Sequence, residues 1–346
     1  MKFSNFLFPD CEDPARDGVV IDEVYAEALL SDELGVDVIW MAEHHFDGIC
    51  VYVDPISFAA ALAPRLRRSA LGFAVVQTAL HHPIRLAEQL ALIDNLIKGR
   101  LIVGLGRGTA YNIYDYQGFG IDHEEAQARL DESEIIIRRA WTEGAFTHEG
   151  KFWQLKVPML RPRTYTKPHP PIIRGASGEH SLVELARQGQ PFMMNVHSLE
   201  TTAYRVDLYR KAMREAGYDE AAIARNLDLS WVWRNVYVAE TDAAAEKIGM
   251  PYLEEISRRR AEMRLRVFAE TGQRIEVPHN DLPENRANPM HGLMRGSPAT
   301  VAEQVAGIAK LGVGGIISTF RIGSMPHEVA TDSLRLFMRE VAPQFR

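Results

Sequence analysis

Glu43-His44-His45-Phe46 gathers one carboxylic acid and two imidazoles immediately after the apolar run Val36-Asp37-Val38-Ile39-Trp40-Met41-Ala42. Histidine titrates near neutral pH and carboxylates steer it, so the cluster is equipped for general acid–base work. The run before it reads as a buried parallel strand, which puts the cluster at the strand's C-terminal end. In a barrel of alternating strands and helices, active sites are built at that end. A lone histidine there would serve a strand-end hydrogen bond; three proton-transfer groups together point to function. His44 and His45 are chain neighbours and should point different ways, and neither sits at zinc-protease spacing.

Two further stretches have the composition of an anion site. Gly104-Leu105-Gly106-Arg107-Gly108 ends another apolar strand, with small residues that allow close approach of a ligand and one cation, Arg107. Its glycine spacing is not that of a dinucleotide fingerprint, and no Walker pattern for phosphoryl transfer is present. Gly175-Ala176-Ser177-Gly178-Glu179-His180-Ser181 opens a helix after a strand. Free N–H groups and hydroxyls in such a turn suit a phosphate, although Ser177 as an ordinary helix cap explains the pattern equally well. Arg107 with this turn would neutralise one terminal phosphate, as on a mononucleotide. The strand Gly72-Phe73-Ala74-Val75-Val76-Gln77 is small and apolar at its centre, suited either to the core or to a flat wall.

These groups need a scaffold, and the chain alternates throughout. Apolar strand candidates lie at residues 1–8, 36–41, 70–77, 101–105, 171–174, 192–195, within 227–239, and at 315–320. Helical periodicity lies between them, at 20–34, 55–66, 84–97, 124–141, 179–188, 201–216, from 243 onward, 299–311 and 327–341. Eight strands, most followed by a helix, predict an α/β fold, a single (β/α)8 TIM barrel over 1–346. An open doubly wound sheet is the alternative. Two insertions are expected, at about 142–170, with a small hairpin around Glu149-Gly150, and at about 264–298, a polar segment suited to covering a pocket.

Composition excludes other classes. A net charge of −7 leaves no electrostatic footprint for nucleic acid or an anionic membrane. Cys11 and Cys50 are too few for a disulfide framework, and no stretch reaches membrane-spanning length. The N-terminus reads as a strand, not a signal peptide, so a cytoplasmic enzyme is expected.

Taken in order, the motifs resemble the bacterial luciferase-like, flavin-dependent monooxygenase family. They are Met1-Lys2-Phe3-Ser4-Asn5-Phe6-Leu7, Trp40 through Phe46, His82-Pro83-Ile84-Arg85-Leu86-Ala87-Glu88-Gln89, Lys98-Gly99-Arg100, Gly104 through Gly108, Phe119-Gly120, Arg129-Leu130-Asp131-Glu132 and Gly296-Ser297-Pro298. The resemblance implies a barrel that uses reduced FMN (FMNH2) and O2 to oxygenate a small organic substrate such as an aldehyde or ketone. It implies a separate flavin reductase and a homodimer. It makes His44 the catalytic histidine with Glu43 as orienting partner, and assigns the flavin phosphate to Arg107, Ser177, Gly178 and Arg129. It places a non-proline cis peptide at Ala74-Val75, beneath the flavin ring. No metal is implied. Light-emitting relatives carry a reactive cysteine where this chain has Gly106, which argues against light emission. Two rival readings stay open: a deazaflavin-dependent dehydrogenase on the same barrel, and a flavin-binding partner subunit without activity.

Overall fold

The computed structural model describes residues 1–8, 10–46, 50–108, 113–272 and 292–346. Its strands are β1 (Lys2–Leu7), β2 (Val38–Met41), β3 (Ala70–Phe73), β4 (Val76–Gln77), β5 (Leu101–Gly106), β6 (Phe146–Glu149), β7 (Gln154–Val157), β8 (Ile172–Ala176), β9 (Phe192–Met194), β10 (Trp231–Val238), β11 (Leu293–Gly296) and β12 (Gly315–Thr319). Its helices are α1 (Asp17–Glu33), α2 (Pro55–Leu62), α3 (Pro83–Leu96), α4 (Ile113–Gly118), α5 (Ala126–Thr142), α6 (Glu179–Arg187), α7 (Leu199–Glu215), α8 (Glu220–Asp228), α9 (Asp242–Thr271), α10 (Pro298–Ala309) and α11 (His327–Leu336).

Parallel pairing runs β1–β2–β3–β5–β8–β9–β10–β12 and returns to β1, closing an eight-stranded barrel. The expected (β/α)8 fold is therefore the observed one, and the open sheet is not. Closure leaves no barrel edge to protect. Helix starts follow local chemistry. Proline occupies the first turn of α2, α3 and α10, and Asp54, Ser198, Asp219, Thr241 and Ser297 cap helices through their side-chain oxygens.

The barrel interior is filled by Phe6, Val38, Trp40, Ile173, Met193, Trp231 and Ile317. Two tryptophans fit because glycine faces each across the pairing. Trp40 lies opposite Gly72 and Trp231 opposite Gly315. A Cβ on Gly72 would stand 2.3 Å from the Trp40 ring, and one on Gly315 would stand 2.2 Å from Trp231. The rings meet edge to face at 5.1 Å. Outside the barrel, two apolar clusters seat the helices, one under β1–β5 and one under β8–β12.

Three details differ from expectation. The segment 264–298 is not loop throughout: α9 continues to Thr271, and Leu293–Gly296 pairs in parallel with the outer half of β10. Long Arg and Glu side chains make 264–271 read as polar loop, yet they are good helix formers. Residues 273–291 lie outside the described residues. The hairpin in 142–170 is present, but its strands β6 and β7 are joined by residues 150–153 rather than by a turn at Glu149-Gly150. Finally, α4 and α8 have no counterpart among the expected helices.

Candidate active site

The strand β2 delivers Glu43, His44 and His45 to the barrel mouth. Glu43 is 3% exposed. Its Oε1 meets Nε2 of His45 at 3.0 Å and Nε2 of His81 at 2.8 Å, and its Oε2 accepts from the backbone N–H of Gln77 at 2.7 Å. The side-chain amide of Gln77 donates to the Glu43 carbonyl at 2.9 Å and to Asp115 Oδ2. The other oxygen of Asp115 accepts from the His45 backbone N–H at 2.8 Å. Five residues from three separate strand exits thus share one network around two buried carboxylates.

The protonation balance follows from those contacts. Burial pushes the Glu43 carboxyl up, but hydrogen bonds from His45 and His81 outweigh it and hold the group below its usual value. Burial pushes His45 down, and the bond to Glu43 more than reverses that, leaving its pKa raised. Burial raises the phenol of nearby Tyr116 to about 12, with Arg107 pulling the other way. The pair Glu43–His45 can therefore hold a proton at the barrel mouth.

His44 leaves the strand in the other direction. Its ring is half-buried and stands edge-on to Phe8 at 5.0 Å. The orienting partner expected for it, Glu43, turns its carboxylate to His45 and His81. Reading along the chain could not find this, because His81, Gln77 and Asp115 lie 34 to 72 residues from Glu43. The only signal was the His81-His82-Pro83 turn at the end of a strand candidate.

Ala74 and Val75 form a half-buried wall beside this network, and the peptide between them is cis, as the resemblance implied. Their side chains pack on the interior cluster next to Phe8 and Trp233. A Cβ at Gly106 would stand 2.4 Å from Val75 Cγ2, so a cysteine at that strand exit would displace Val75.

The anion-site residues spread around the rim. Arg107 stands exposed at the exit of β5. Arg129, on α5, is bound by Glu125 at 2.9 Å and lies over the Phe152 ring at 4.5 Å. Ser177 and Gly178 form the turn from β8 to α6. The cap of α6 is Gly178 with Ser181: the Gly178 N–H donates to Ser181 Oγ (3.3 Å), which donates back to the Gly178 carbonyl (2.9 Å). The Ser177 hydroxyl makes no such bond among the described residues. Its carbonyl instead accepts from Arg205 Nη1 on α7 at 3.4 Å, a residue that no sequence motif singles out. Among the described residues, no group of three His, Cys, Asp or Glu side chains has the geometry of a metal site, and no helix is long and apolar enough to cross a membrane.

The profile of the luciferase-like monooxygenase family matches residues 1–315. The chain belongs to that family. Among luciferase-like relatives, the oxygenase component of flavin-dependent trigonelline monooxygenase from Acinetobacter baylyi is 31% identical over 182 residues, 52% of this chain and 50% of the relative. The alkanal monooxygenase alpha chain of Photorhabdus luminescens is 27% identical over 220 residues, 63% of this chain and 60% of the relative. The matched parts thus span between half and three fifths of the length of these curated relatives. The crystal structure of monooxygenase RslO1 from Streptomyces bottropensis superposes with a TM-score of 0.83 at 29% identity, covering all of both chains. An oxidoreductase with a flavin-type cofactor is the class this family membership supports.

Proposed function

We propose that this chain is the oxygenase of a two-component system that uses reduced FMN and O2 to oxygenate a small organic substrate such as an aldehyde or ketone. The observation that carries this reading is the buried Glu43 carboxylate shared by two imidazoles at the ends of barrel strands. Such an arrangement keeps a proton at the barrel mouth, the end on which this fold builds its sites. When bound, the reduced flavin supplies the electrons for reaction with O2.

The chain's own residues fit a flat ring with an anionic tail. Ala74 and Val75 give the ring an apolar, half-buried wall. Arg107, Arg129, Ser177 and Gly178 are the residues that would hold the phosphate, and buried donors of Arg205 without partners lie behind the Ser177 carbonyl. In this reading His44 is the general base, and Glu43, with His45 and His81, sets the proton balance of the mouth. Phe6, Phe8 and Trp233 line that mouth and keep water from the reacting atoms. The relative from Acinetobacter is an oxygenase component, which supports a separate reductase for this chain too. A cytoplasmic homodimer belongs to the same reading.

The test is His44→Ala, supplied with reduced FMN and a long-chain aldehyde, following oxygen uptake and product mass. Loss of a general base should lower turnover by about 10²-fold or more. Unchanged turnover would remove His44 from the chemistry and leave His45 and His81 as the proton-transfer groups.

A further inference from the structure

Behind the Ser177–Gly178 turn, positive charge is shut inside the protein without an ion-pair partner among the described residues. Arg205 on α7 is 1% exposed, Arg234 on β10 is 2% exposed, and His197, in the loop after β9, is 8% exposed. Arg205 Nη1 lies 2.7 Å from Nε2 of His197 and 3.4 Å from the Ser177 carbonyl. Arg234 donates to Thr202 Oγ1 at 2.7 Å and to the Trp233 carbonyl at 2.6 Å. Burial and the two guanidiniums hold His197 down to about 3, so it is neutral and accepts from Arg205 through Nε2. Its proton then sits on Nδ1.

The donors left over form the more telling set. Arg205 Nε and Nη2 and His197 Nδ1 are all buried without a hydrogen-bond partner. Among the described residues, no carboxylate comes within ion-pair distance of either guanidinium. Glu179, in the first turn of α6, acts on Arg205 only through space. An uncompensated buried charge is costly, and arginine does not relieve it by losing its proton. The outlet is the turn that Arg205 touches. Two guanidiniums and the positive end of α6, worth roughly half a charge, less the Glu179 carboxylate in its first turn, leave about +1.5, the size needed to balance a phosphate monoester of about −1.5 to −2.

We propose that Arg205, backed by Arg234, is the buried positioning cation of the Ser177–Gly178 turn and makes this site select ligands that end in a phosphate. Arg205 holds the Ser177 carbonyl inward, and its charge raises the potential at the first turn of α6, whose N–H groups have no partner within the helix. The proposal rests on the phosphorylated-flavin reading above and names a further residue of that site.

The experiment is a titration of the purified full chain with FMN and with riboflavin, which lacks the phosphate, by flavin fluorescence. Wild type should bind FMN more tightly. In Arg205→Met, the ratio of riboflavin Kd to FMN Kd should fall about tenfold, a loss of roughly 1.4 kcal/mol of phosphate preference, with riboflavin Kd nearly unchanged. An unchanged ratio overturns the proposal, and so does an equal loss of both flavins, which marks a general packing role. Should Arg205→Met fail to fold, Arg205→Lys decides. Its ammonium sits one bond short of the Nη1 that reaches both Ser177 and His197, so its ratio should fall below wild type, and a wild-type ratio overturns the proposal. A wild type that binds FMN and riboflavin equally overturns it while leaving the flavin reading intact. A wild type that binds neither removes that reading, and this proposal with it.

Discussion

Two buried polar clusters sit near the mouth of this barrel, and they are built on opposite plans. Around Glu43, each carboxylate oxygen has a donor within the protein, Gln77 ties Glu43 to Asp115, and the Gln77 Oε1 is left without a partner. Around Arg205, donors outnumber acceptors, and the positive charge has no ion-pair partner among the described residues. A matched network holds its members in one arrangement and can pass a proton without changing its total charge. An unmatched one carries an unfavourable energy that a ligand of opposite sign removes. The two plans therefore divide the labour of the mouth. In the proposed function, proton handling falls to the network around Glu43, and anion capture to Arg107 and the Ser177–Gly178 turn, with the Arg205 cluster behind that turn.

The contrast is most exposed to test at Glu43. Glu43→Ala deprives two imidazoles and the Gln77 N–H of their common acceptor, and urea unfolding should show a loss of about 3–5 kcal/mol. A loss below about 1 kcal/mol would mean that the network does not hold its three loops together.

Acidification separates the clusters next. The pKa of Glu43 is lowered in the fold, so its stabilisation is present above its ordinary value of 4.5 and disappears as pH falls through the depressed value. His45 is raised, so its contribution is full below 6.5 and fades as pH rises through the elevated value. His197 works the other way. Its folded value of about 3 lies below 6.5, so the unfolded chain takes up the proton first, and stability drops as pH falls between those values. His197→Asn should flatten that part of the stability curve by up to about 1.4 kcal/mol per pH unit. A curve with the wild-type slope would show that His197 is protonated in the fold.

The smallest expected change is in Arg205→Met without ligand. Replacing an unpaired buried cation by an apolar side chain of similar length offsets the acceptors it leaves behind. Unfolding free energy should stay within about 1 kcal/mol of wild type, or rise. A loss as large as that of Glu43→Ala would make the two clusters alike and remove the contrast.

Much of the scaffold was legible beforehand because barrel strands and helices declare themselves locally. The run ending at Met41 and the one ending at Leu105 are apolar over a strand's length and stop at small or charged residues, and each lies in a strand of the structure. The motif Glu43-His44-His45 was visible because three titratable groups follow such a run. The expected position for the cis peptide was legible only through family resemblance, since nothing in Ala74-Val75 by itself calls for it.

Local pattern is enough to specify the eight barrel strands, their order along the chain and the end on which Glu43, Arg107 and Ser177 emerge, because hydrophobic period and helix caps act over a few residues. It does not specify that Glu43 serves His45 and His81, that Asp115 joins through Gln77, or that Arg205, His197 and Arg234 meet behind Ser177. Those meetings exist only in the folded barrel. Each is a hydrogen bond or a shared field between loops and helices distant in sequence. Its geometry depends on how the closed barrel brings its strand exits side by side, and no short stretch of chain encodes that.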